Sequence, residues 1–102
     1  MQKSAVFFVQ FVAVMKGEGL TLFGYTIDNE NVEIGECVEF KFEDKKIRRK
    51  IKGIALVNNR ENFEKGLNSI ALFIQSKDKE ESKIISNSYL KNTECEIYKE
   101  KN

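Results

Sequence analysis

The chain has no histidine, no proline and no tryptophan. Histidine is the commonest general base and the commonest transition-metal ligand, so its absence removes the simplest routes to acid–base catalysis and to a metal centre. Cysteine is scarce too. Cys37 and Cys95 lie 58 positions apart, whereas a zinc site needs closely spaced Cys or His pairs, so no metal and no cofactor are expected. Two buried or half-buried thiols in a reducing compartment are the reading, with a disulfide as the alternative. Serine and threonine occur without a partner base, and the acidic residues do not cluster in an apolar context. The chain is therefore read as not an enzyme.

Charge of one sign is also lacking: 17 Lys and Arg stand against 16 Asp and Glu, for a net charge of +1. A general polyanion binder is not implied, and a nucleic-acid role would need a local basic patch. No apolar run is long enough to span a bilayer. The longest, Ala5 to Met15, is interrupted by Gln10, followed at once by Lys16, and shows no small-x-small cleavage site, so it reads as a core strand rather than a secretory signal. A cytoplasmic location with no membrane partner is expected.

What is present is enough for one core. Hydrophobic residues make up 41% and charged residues 32% of the 102 positions, which suits one domain over 1–102. Seven strand-like runs are read at 5–15, 20–28, 36–43, 46–57, 69–75, 83–86 and 93–98, bounded by polar or glycine-containing breaks. Asn59 to Gly66 reads as a short helical turn. Over Asp78 to Lys91 a helix is the alternative, with Ile84, Ile85, Tyr89 and Leu90 along one side. The fold class is all-β.

Strand parity assigns faces, because alternate side chains leave opposite sides of a sheet. Val38, Phe40 and Phe42 point inward against Glu39, Lys41 and Glu43. Ile47 and Ile51 point inward, with Lys46, Arg48, Lys50 and Lys52 outward. Ile54 and Leu56 fall on the wrong parity, so a bulge is expected near Gly53. In the first run Phe7, Val9 and Phe11 oppose Val6, Phe8 and Val12. Leu20 and Leu22 oppose Phe23, Tyr25 and Ile27, and Ile70, Leu72 and Ile74 oppose Ala71 and Phe73. These strands are apolar on both faces, so the outward set needs a second cover. Ile84, Ile85, Tyr89, Leu90 and Ile97 are the expected cover, with another protein as the alternative.

Four pieces in order carry a resemblance: Gly17 to Gly24, Asn31-Val32-Glu33-Ile34-Gly35-Glu36, Ile51-Lys52-Gly53-Ile54, and Lys65-Gly66-Leu67-Asn68-Ser69-Ile70-Ala71-Leu72. Together they resemble the second domain of elongation factor Tu and related translational GTPases. The resemblance implies a small closed antiparallel β-barrel over 6–75, with 76–102 as a charged extension covering or extending it. It also implies a non-catalytic module that contacts RNA or protein. The late Arg-Gly-x-Val/Ile element of that family appears as Glu81-Ser82-Lys83-Ile84-Ile85, without its glycine. No Gly-x-x-x-x-Gly-Lys-Ser/Thr loop is present, so nucleotide binding is not expected and the barrel is read as standing without a GTPase domain.

Two surfaces are candidates. Lys45, Lys46, Arg48, Arg49, Lys50 and Lys52 place six positive side chains within eight positions. Lys45, Lys46, Arg48, Lys50 and Lys52 are taken as the binding residues, where phosphates or a carboxylate-rich partner could meet them. Ordinary solvated strand edge is the competing reading. The outward aromatics Phe8, Phe23, Tyr25 and Phe73 form the second surface. The expected partner is a protein or structured RNA. The alternative function is a small immunity or antitoxin-type protein, with Asp78 to Glu81 and Glu94 to Glu100 facing a basic toxin. A homodimer is a third option.

Overall fold

The computed structural model describes residues 2–87 and 90–99. Among these residues there are six strands: β1 (Gln2–Met15), β2 (Gly19–Thr26), β3 (Cys37–Phe42), β4 (Lys45–Leu56), β5 (Ser69–Ile74) and β6 (Thr93–Lys99). Among the described residues two α-helices, α1 (Arg60–Glu64) and α2 (Lys79–Ser86), follow β4 and β5, and a short 3-10 turn (Ile27–Asn29) follows β2. The strands form a closed antiparallel barrel in the order β1-β2-β5-β4-β3-β6, with β6 returning to β1. Closure removes the sheet edges that a six-stranded open layer would expose. Because β6 pairs with both β1 and β3, residues 93–99 are barrel wall, so this part of the 76–102 extension extends the barrel.

The hairpins follow from their turn residues. Gly17, at φ +84°, takes the third position of the turn Met15–Glu18, where positive φ favours glycine. Glu43 and Asp44 join β3 to β4 with φ of +48° and +63°, the two positive values of a type I′ turn. The bulge expected near Gly53 is present between Ile51 and Gly53. It restores the inward phase of Ile54, which packs against the core, whereas Leu56, at the end of β4, is 89% exposed and is corrected.

A second bulge was not expected. It lies between Val9 and Phe11 and reverses the parity of the rest of β1. Val12 therefore turns inward against the core, while Phe11 turns outward and is 55% exposed. The inward reading of Phe11 and the outward reading of Val12 are both corrected. The extra residue, Gln10, exchanges hydrogen bonds with Asn62 of α1 at 3.1 and 2.7 Å, and Asn62 also donates to Ser69 Oγ at 2.7 Å. This buried amide cluster fixes α1 to the outside of the barrel.

The interior is filled by Phe7, Val9, Leu20, Leu22, Val38, Phe40, Ile51, Leu72, Ile74 and Ile97. Residues 83–86, read as a strand, are helical. Asp78 caps α2 by accepting from the Glu81 N–H at 2.8 Å, with Glu81 three residues on, the spacing of a capping box. Helix α2 contacts β1 and β2 and is tied to β4, so it spans one mouth of the barrel. Ile85 is fully buried there, a contribution of about 1.5–3 kcal/mol. Ile85, Leu90 and Ile97 belong to this inner core. They do not cover the outward aromatics, which corrects that expectation; Tyr89 lies outside the described residues.

Candidate functional site

The β3–β4 ribbon sets the geometry of the basic strand. Lys46, Arg48, Lys50 and Lys52 are all exposed, as their parity requires, and Lys45 is exposed beside the hairpin turn. Pairing between strands adds a residue that linear reading missed: Lys41 on β3 lies directly opposite Lys46. Like charges placed in this way repel and are relieved by an anion.

Not every cation in the run is available. Arg48 donates through Nε to Glu39 Oε1 at 2.9 Å, and its guanidinium sits 4.2 Å over the Tyr98 ring. The hydrogen bond to Glu39 raises its pKa above the usual arginine value, and the charge of Glu39 and contact with Tyr98 act in the same direction. Beside them Lys3 pairs with Glu96 at 3.3 Å, so the β3–β6 flank is charge-balanced.

Arg49 has the inward parity of Ile47 and Ile51. It grips Glu81 of α2 with two bonds, Nη2 to Oε1 at 2.5 Å and Nε to Oε2 at 3.0 Å. This bidentate pair is a strut between β4 and the helix that closes the barrel. The Arg49 hydrogen bonds, helped by the Lys77 backbone N–H, hold the Glu81 carboxyl below the usual carboxylate range although burial opposes them. Arg49 is raised in turn, chiefly by its hydrogen bond to Glu81. It is removed from the candidate surface, and Lys77 joins it. A shallow cleft of about 530 Å³ between β4 and the segment after β5 is lined by Arg48, Arg49, Lys50, Gln75, Ser76 and Lys77.

The outward aromatics form a stripe. Phe8 lies opposite Tyr25 with ring centroids 5.4 Å apart, and Phe11 opposite Phe23 at 5.8 Å. The stripe continues through Ala71 to Ala55, and Phe73 lies over Gly53 on β4. Phe8, Phe23, Tyr25 and Phe73 are half-buried by one another and by the strands. Phe11 belongs with them and is the most exposed member. Its shift outward could be seen only once the Gln10 bulge was known.

The two thiols are buried and form no disulfide. Cys95 faces the core, where burial pushes its pKa up to about 12. Glu36 closes the turn that precedes β3: its carboxylate accepts from the Glu33 N–H at 2.6 Å and from Ser4 Oγ at 3.0 Å. Beyond the pairs of Val38 with Ile97 and Glu39 with Glu96, β3 and β6 part around a space of about 870 Å³, lined by Phe40, Phe42, Ile84, Leu90 and Cys95 among others. Among the described residues, no group of three or more His, Cys, Asp and Glu is placed to hold a metal ion. Among them, too, no helix is long and apolar enough to cross a membrane.

Chemically, the ridge offers ammonium groups at the spacing of a β-ribbon, suited to holding phosphate oxygens by charge and hydrogen bonds. Compared with known proteins, the chain matches no family model, no curated protein and no solved structure.

Proposed function

We propose that this chain is a non-catalytic binding module that grips the phosphate backbone of structured RNA along β4 and the neighbouring Lys41 and Lys77. The observation that carries this reading is a charge asymmetry. In a chain of net charge +1, exposed Lys41, Lys45, Lys46, Lys52 and Lys77 gather on one ribbon and its border. Among the described residues they form no ion pair. The resemblance of Gly17 to Gly24 and of the three later pieces to the second domain of elongation factor Tu supports the same reading. It suggests translation as the setting and the cytoplasm as the place. A protein partner on the aromatic stripe is the second reading, favoured by the exposure of Phe11. Nucleic-acid mimicry by the acidic stretches has less support, because Asp78 caps α2, Glu81 holds Arg49 and Glu96 holds Lys3.

The test is the salt dependence of affinity for an RNA hairpin, measured by fluorescence anisotropy. Lys46→Glu and Lys52→Glu are the variants to use, since Arg48 is already engaged by Glu39. Together they should weaken binding by about tenfold or more and lower the slope of log K against log salt by about two. Unchanged affinity and slope would remove the basic ribbon as the contact surface.

A further inference from the structure

A second cleft lies at the opposite mouth of the barrel from α2, where β2 and β4 end and β5 begins. Its volume is about 420 Å³, within the range of small-molecule sites. Its walls come from the loop after Thr26, the segment after Leu56, and α1 with the turn that follows it. Internal hydrogen bonds hold these walls. Thr26 Oγ1 donates to the Glu30 carbonyl at 2.7 Å, and Asn29 bridges to Gly66 and Asn68 at 3.0 and 3.3 Å. The Asn59 side chain caps α1 at 3.0 Å. A cleft with walls fixed in this way loses little entropy when filled.

Its chemistry is unlike the lysine ridge. Leu56 and Phe63 stand 89% and 78% exposed, the two most exposed large apolar side chains among the described residues. Around them are the carboxamides of Asn31, Asn58 and Asn68, which have no hydrogen-bond partner among the described residues. Each carboxamide brings two donors and an acceptor. Among the described residues the lining holds one charged side chain, the carboxylate of Glu30, and no cation. A phosphate or carboxylate ligand would find no counter-charge there and would meet Glu30. The fitting ligand is neutral, dense in hydroxyls that both donate and accept, and has an apolar C–H face to lie on an aromatic ring.

The geometry points to a binding site for a neutral sugar ring, with Phe63 as the platform and Asn31, Asn58 and Asn68 reading the hydroxyl edge. The site is independent of the lysine ridge and stands whether or not the RNA reading does. The experiment is a ¹H–¹⁵N NMR titration of the full chain with glucose, galactose, mannose and N-acetylglucosamine, each to about 50 mM, well above the millimolar affinity expected of a single ring. Adenosine is titrated in parallel. One sugar should give saturable shifts in the side-chain amides of Asn31, Asn58 and Asn68 and in backbone amides around Phe63. Phe63→Ala, at a position too exposed to affect folding, should weaken that binding at least tenfold. Three results would each overturn the proposal: no saturable shift with any sugar, shifts with adenosine alone, or Phe63→Ala titrating like the parent.

Discussion

Gly24 pairs with Val9 across the β1–β2 ladder, and a Cβ added there would run into the carbonyl oxygen of Phe8. Backbone cannot move aside as the end of a side chain can. Gly24→Ala should therefore destabilise the barrel by more than about 3 kcal/mol, read as a lower urea midpoint. The pair of Arg49 and Glu81 makes a pH prediction. Glu81 is held below its ordinary value, so the stability it contributes is present above the unfolded carboxylate pKa of about 4.3 and fades as pH falls through the lower folded value. Glu81→Gln should lower stability at neutral pH and flatten its acid limb; a limb as steep as the parent's would contradict the strut. That Arg49 belongs to the helix and not to the ridge was half legible, since its parity matches Ile47 and Ile51. Its partner, 32 residues on, was not.

The β3–β4 ribbon turns on two side chains held at positive φ, Glu43 and Asp44. L-residues prefer to avoid that region, while glycine enters it freely. Asp44→Gly should stabilise the protein by about 0.5–1 kcal/mol in thermal or urea unfolding, because the turn keeps its shape and loses its strain. The strands themselves were well marked in the residue pattern. Val38-Glu39-Phe40 alternates cleanly, and the broken parity after Ile51 located the Gly53 bulge. The Gln10 bulge left no such trace. Phenylalanine and valine occupy both faces of β1, so a slip of one residue changes no hydrophobic pattern, and no glycine marks the place. For α2 the Asp78 cap emerged only from the structure, and the short run of Ile84 and Ile85 fits strand and helix equally.

At the scale of the whole molecule the chain is a nearly neutral barrel with unlike surfaces. Lysines crowd β4 and its borders, aromatics line β1, β2 and β5, and carboxamides ring the mouth away from α2. The ridge was legible because its cations are consecutive in the chain. Lys41 and Lys77 were not, since strand pairing and the return after β5 bring them there. The carboxamide cleft was invisible for the same reason: Asn31, Asn58 and Asn68 come from separate loops. The β4 ridge is the proposed contact surface for RNA. Hydrogen exchange measured with and without a saturating RNA hairpin locates that surface without any substitution. Exchange should slow in 41–52 and around Lys77, with β1 and β2 unchanged. Slowed exchange confined to the aromatic strands, or none anywhere, would contradict it.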